Sequence, residues 1–146
     1  MLSFKPSLSS NSDAFALFVN EKYEYKDEKG VLSKEIRKKI DLFLKYLKSK
    51  KQNDAINSLD ISDKKKCFII KTKKKYKNYY FEEIGGSFFT YIKNYKTISL
   101  IDIYADSLNE NKNSLSKLFS EFIFGFNLKS YTFNKYKTLN KEKINK

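Results

Sequence analysis

The run Ala14-Phe-Ala-Leu-Phe-Val19 is apolar at every position, with the polar turn Ser9–Asp13 before it and the charged stretch Glu21–Gly30 after it. A half-buried strand would alternate, and an amphipathic helix would return to its apolar face every three to four residues. A short unbroken run fits a strand covered on both faces. Such a strand needs partners on either side and layers above and below. The chain is thereby directed to an α/β layered domain with a mixed or largely parallel sheet flanked by helices.

The rest of the pattern supplies the layers. Leu2–Leu8 alternates loosely and contains Pro6, which suits a strand edge or start. Ser33 stands as an N-cap, with Glu35 favouring the helix dipole. Ile36, Ile40, Phe43, Leu44 and Leu47 then form one helical stripe across Ser33–Ser49. Ala55–Ile61 and Cys67–Ile70 read as short strands. A helix is predicted from about Tyr79 to Tyr95, with Gly85-Gly86 in its interior. Each glycine there costs about 1 kcal/mol against alanine, so the pair implies close backbone packing or a break. Thr97–Tyr104 is β-branched and apolar, a strand, followed by a polar loop over Ala105–Asn113. Ser114–Lys129 returns to helical spacing through Leu115, Leu118, Phe119, Phe122, Ile123, Phe126 and Leu128. The order is strand, strand, helix, strand, strand, helix, strand, helix, and Leu139–Lys146 reads as flexible linker.

A chain of 146 residues that is 40% hydrophobic, with 11 Tyr and 13 Phe, is sized for one domain and too apolar to stay disordered. No stretch approaches the roughly 20 apolar residues that span a bilayer, and the start lacks a secretory pattern, so no membrane and a cytoplasmic location are expected. Cys67 is the only cysteine, which excludes an intrachain disulfide. The formal charge of +13 invites nucleic acid as a partner. However, Arg37 is the single arginine among 30 basic residues, and the abundance of Lys, Asn, Ile, Tyr and Phe follows AT-rich codons. A chain nearly without guanidinium forks is poorly equipped for base-specific readout. A solvated lysine coat is the plainer reading.

Candidate chemistry is sparse. With no histidine, Ser-His-Asp and Cys-His systems cannot be assembled. Cys67 reads as a buried structural thiol. The carboxylates Asp60 with Asp63, Glu82 with Glu83, and Asp102 with Asp106 are pairs without a converging third ligand, best read as capping or surface charge. Gly85-Gly86 lacks the third glycine or Lys-Ser/Thr of a phosphate cradle. Lys71, Lys73, Lys74, Lys75 and Lys77 interleave with Tyr76, Tyr79, Tyr80 and Phe81. That mixture suits single-stranded nucleic acid through charge and stacking, or a solvated loop whose aromatics turn inward.

Residues 125–138 carry a sharper signal. Gly125, Leu128, Tyr131, Phe133, Tyr136, Lys137 and Thr138 resemble the segment that closes the amino-terminal domain of leucyl (cytosol) aminopeptidases, where a Gly and a Leu on a last helix lead into Tyr-x-Phe-x-x-Tyr-Lys-Thr. The resemblance implies a non-catalytic, macro-domain-like α/β domain over residues 1–138 with the linker beginning at 139–146. It implies a parent enzyme that releases amino-terminal residues from peptides through two divalent metals, zinc, manganese or magnesium, held in a separate catalytic domain. It also implies a hexamer, with this domain serving assembly and active-site access, and the aromatic ladder anchoring the domain end. No catalytic or metal residue carries over, so no cofactor is expected in this chain, which alone should release no amino acids. The family's Gly-x-Gly turn after the middle apolar strand has no counterpart in Ile69–Lys73. The alternative is a basic nucleic-acid-binding module.

Overall fold

The computed structural model describes residues 2–4, 13–27, 30–50, 54–73, 78–93, 95, 101–104 and 112–144. Five strands and three helices follow in the order β1 (Leu2–Phe4), β2 (Ala14–Val19), α1 (Lys34–Lys50), β3 (Ile56–Ser62), β4 (Lys65–Lys71), α2 (Tyr80–Ile92), β5 (Ile101–Tyr104) and α3 (Lys112–Ile144). The chain divides into two compact units, one of Met1–Tyr76 with Tyr95–Leu115, the other of Lys77–Asn94 with Ser116–Lys146.

The first unit is built on one sheet, ordered β1-β5-β2-β4-β3. The apolar run is its centre: β2 pairs in parallel with β5 on one side and β4 on the other, and all six residues are buried. β1 pairs in parallel with β5 at one edge, where Pro6 pointed. β3 runs antiparallel to β4 at the other edge and joins it through the tight turn at Asp63-Lys64, with a register shift between Asp60 and Ser62. The sheet is thus mixed and mostly parallel.

Helix α1 covers one face. Ser33 caps it, its Oγ accepting from Ile36 N at 3.2 Å. Ile40, Leu44 and Leu47 are buried from the predicted stripe and join Phe15, Leu17 and Val19 of β2 and Cys67 and Ile69 of β4 in one cluster. Ile36 and Phe43 pack at its margin. The alternate residues Ala14, Ala16, Phe18, Phe68 and Ile70 are equally inaccessible, so both faces of the central strands are dry. At roughly 25 cal/mol per Å² of apolar surface removed from water, these strands dominate the unit's stability.

The second unit pairs α2 with α3. Phe88 meets Phe122 at 5.7 Å and Phe126 at 6.0 Å between ring centroids, and Phe89 meets Phe126 edge-on at 5.5 Å. Helix α3 differs from expectation at both ends. It starts at Lys112, inside the predicted polar loop, and continues through the ladder and the expected linker to Ile144. No glycine or proline follows Gly125, so no residue there stops the helix.

Candidate functional site

In open α/β sheets, ligands bind beyond the carboxyl ends of the strands. Here the end of β2 is occupied by its own chain. Asn20 Oδ1 accepts from the backbone N–H of Lys22 at 2.9 Å and of Glu24 at 2.8 Å, while Asn20 N donates to Glu24 O at 3.0 Å. This tight turn carries Tyr23 at φ 61° and buries its ring in the α1 cluster. Lys71, at the end of β4, places Nζ 4.7 Å from the centre of that ring. The last β2 carbonyl, Val19 O, accepts from both N and Oγ1 of Thr72, at 2.8 and 2.9 Å.

Further along, Asp27 organises the approach to α1. Its carboxylate accepts from Val31 N at 2.8 Å, Leu32 N at 3.0 Å and the Arg37 guanidinium at 2.7 Å. The Asp27 side chain is 3% exposed, so those contacts replace water. Gly30, at φ +63°, supplies the reversal between them. The chain's single arginine therefore serves an internal lock. Beside it, Tyr25 OH donates to Asp41 Oδ1 at 2.8 Å, and burial first, then that hydrogen bond, pushes the phenol above its ordinary range.

The other predicted groups separate in space and role. Cys67 is fully buried in β4, and burial pushes its thiol up, so it is a core residue and not a nucleophile. Asp60 pairs with Lys66 across the β3–β4 hairpin at 2.8 Å, while Asp63 sits in the turn. Among the described residues, no group of three His, Cys, Asp or Glu side chains converges as a metal site would require. Of the basic stretch, Lys71 is turned onto Tyr23 and Lys73 is exposed, whereas Lys74, Lys75, Tyr76 and Lys77 lie outside the described residues, as does Asp106. At the start of α2, Phe81 is buried, but Tyr79 is exposed at φ 69°.

The glycines mark where α2 and α3 meet. A Cβ on Gly85 would fall on the carbonyl of Phe122, and one on Gly125 would fall on the carbonyl of Glu82. Neither position has room for a methyl group. Gly86 differs, since its nearest neighbours, Gly125 O and Lys129 Cβ, would be 3.7 Å away. These two helices also border an open groove of about 750 Å³, lined by Tyr79, Glu82, Glu83, Gly86, Ser87 and Leu128 among others. Both glutamates border this groove.

The family-like segment is helical, so its members point to different sides. Gly125 is at the crossing, and Phe133 packs edge-on against Phe89 at 5.6 Å with Lys93 Nζ 5.1 Å from its ring. Leu128 and Tyr131 are 49% and 66% exposed. Phe133 thus packs against α2 while staying partly exposed, whereas Tyr131 is largely exposed. Residues two apart on a helix lie about 200° apart, which is why these two part company. Tyr136 and Lys137 continue the helical backbone.

No family model matches the chain, and no curated protein matches it. Among solved structures, it is similar to the macrodomain of Thermus aquaticus DarG, with a TM-score of 0.62 and 15% identity over 87% of this chain and 91% of that one. At that identity the likeness establishes the fold, and the expected macro-domain-like α/β architecture is present.

Proposed function

We propose that this chain is the amino-terminal, non-catalytic domain of a leucyl-aminopeptidase-like exopeptidase, serving assembly and access to an active site carried elsewhere. The observation that supports it most is the position of Gly125. The glycine that anchors the sequence resemblance stands at a backbone contact with Glu82 where no other residue fits. The macro-domain-like sheet is also the architecture that the resemblance implies. The self-filled carboxyl end of β2, plugged by Tyr23 and closed by Thr72, suits a scaffold better than a small-molecule site.

In this reading the chemistry would reside in a separate catalytic domain, where two divalent metals would supply the activation of a water for attack on the first peptide bond. Residues of this chain take no part in that step. Cytoplasmic placement and hexameric assembly belong to the same proposal. Sequencing the coding DNA around this segment is the direct test. A metalloaminopeptidase catalytic domain in the same or a neighbouring reading frame is expected, and co-expression of the two should give a stable, chelator-sensitive complex that releases amino-terminal leucine. A locus without such a domain would overturn the reading.

The basic nucleic-acid module is the rival from another class. Lys73 and the net charge of +13 favour it, while the inward use of Lys71 weakens it. A salt titration with single-stranded and duplex DNA separates the two.

A further inference from the structure

Helix α3 is apolar on two sides. Leu118, Phe119, Phe122 and Phe126 form its buried side. Phe124, Leu128 and Tyr131 lie at i, i+4 and i+7 on another side and are 57%, 49% and 66% exposed. At about 100° per residue these three share one stripe, turned roughly half a revolution from Phe119, Phe122 and Phe126. The same stripe continues to Lys117, seven residues before Phe124, and to Lys135, four residues after Tyr131; both are exposed. Glu121 lies on this side as well, half-buried. An isolated exposed leucine needs no explanation, but three large apolar side chains in register form an apolar stripe, here bracketed by two lysines.

The charges narrow what covers it. A second copy laid antiparallel along the stripe brings Lys117 against Lys135, and a parallel copy brings each lysine against itself. Both arrangements set like charges together in a chain already at +13. An anionic bilayer suits the lysines, but three side chains are a small apolar face for a surface helix. Anchors at i, i+4 and i+7 are the spacing of helix pairing and helix-in-groove recognition. The two lysines stand about 27 Å apart along the axis, at 1.5 Å per residue.

We propose that the Phe124–Leu128–Tyr131 stripe of α3 docks an acidic amphipathic helix of another protein, its apolar side on these three residues and its carboxylates against Lys117 and Lys135. This goes beyond the parent-enzyme reading and does not depend on it. If the locus holds no catalytic domain, the surface still stands, and if the surface fails, the family reading is untouched.

The test uses the full chain and a synthetic helical peptide of about 18 residues, long enough to span both lysines. The peptide carries a leucine stripe with glutamates at both ends, and a second version carries lysines in their place. Titration of the isotopically labelled chain, read by NMR, is expected to shift residues 117–135 with the acidic peptide only. The triple variant F124S/L128S/Y131S should weaken binding at least about tenfold, roughly 1.4 kcal/mol. Because those side chains are exposed, circular dichroism should show the fold retained. The charge reversal K117E/K135E should reject the acidic peptide and accept the lysine version. Absence of binding at millimolar peptide, shifts elsewhere on the chain, or indifference to the charge swap would overturn the proposal. So would binding to phosphatidylserine vesicles, or a concentration-dependent dimer, that the triple variant abolishes.

Discussion

The sheet unit and the helix-pair unit solve the same problem in opposite ways. In the first, large side chains fill the space on both faces of β2 and β4, and polar groups set into the core are met by specific partners, Val19 O by Thr72 and the Asp27 carboxylate by Val31, Leu32 and Arg37, although Arg37 Nε is buried without a hydrogen-bond partner among the described residues. In the second, two backbones approach until side chains are excluded, with Gly85 against Phe122 and Gly125 against Glu82. The sheet unit should therefore be sensitive to lost partners, and the helix pair to added atoms. A close approach fixes one crossing with little else, whereas a filled core tolerates changes of shape that preserve volume.

The sharpest way to break that contrast is to add one methyl group to the helix pair. Gly125→Ala and Gly85→Ala are each expected to cost about 3 kcal/mol, at the upper end of overpacking, because the obstacle is backbone and cannot rotate away. Gly86→Ala is the control one residue along. Its Cβ meets only ordinary contacts, so the better helix former should leave stability unchanged or raise it by about 0.5–1 kcal/mol. Urea denaturation of the three variants decides the point. Equal responses at all three glycines would mean that close approach is not what fixes the crossing. In the sheet unit the corresponding break is a lost acceptor: Asp27→Ala leaves the amides of Val31 and Leu32 without their partner and should cost about 2–3 kcal/mol. Asp27→Asn should recover part of that loss by keeping one acceptor oxygen.

The two units also differ in how far the sequence revealed them. The sheet was legible because burial on both faces writes itself as an unbroken apolar run in β2, and α1 because its stripe repeats with the helical period. The Gly85-Gly86 pair correctly signalled close packing, although periodicity could not tell that Gly85, and not Gly86, bears the contact. The far half of α3 left no such trace. Residues 127–135 are mostly exposed, so no apolar period extends there, and only the lack of glycine or proline marks the helix. Tyr131 and Phe133 would face one way in a strand and diverge in a helix, and the Tyr-x-Phe-x-x-Tyr spacing alone does not say which applies. The Asp27 lock was missed for a related reason. Its partners lie four, five and ten residues away, a spacing set by a loop, and the one available signal was that the chain spends its single arginine at position 37.

Smaller effects sharpen the account of the sheet unit. Burial raises the folded-state pKa of Cys67 above its ordinary value near 9. The unfolded chain then releases this proton first. The thiol's contribution is fully present below about pH 9 and is lost as pH rises further, by up to about 1.4 kcal/mol per pH unit. Comparing the alkaline stability profiles of the natural chain and Cys67→Ala isolates this slope, since lysines and tyrosines titrate in both. The thiol should also resist a disulfide reagent at neutral pH until denaturant opens the sheet. Rapid labelling of the native protein would place Cys67 at the surface and undo the two-sided burial of β4.

The smallest expected effect bears on the basic stretch. Lys71 Nζ lies 4.7 Å from the centre of the Tyr23 ring, so Lys71→Gln removes a cation–π contact that holds the β2 turn, at a cost of about 0.5–1 kcal/mol. Lys73 is exposed one step beyond Thr72, and as an exchange at an exposed position Lys73→Gln should leave stability within about 0.5 kcal/mol. DNA affinity discriminates in the other direction. If the stretch is a phosphate-binding strip, both substitutions lower the salt dependence of binding, each by about one counterion. If it is a solvated edge of a scaffold, Lys71→Gln acts on stability alone and neither changes DNA binding measurably. A strip requires its lysines to face outward together, and Lys71 is already committed to Tyr23, which is why the scaffold outcome is the one expected.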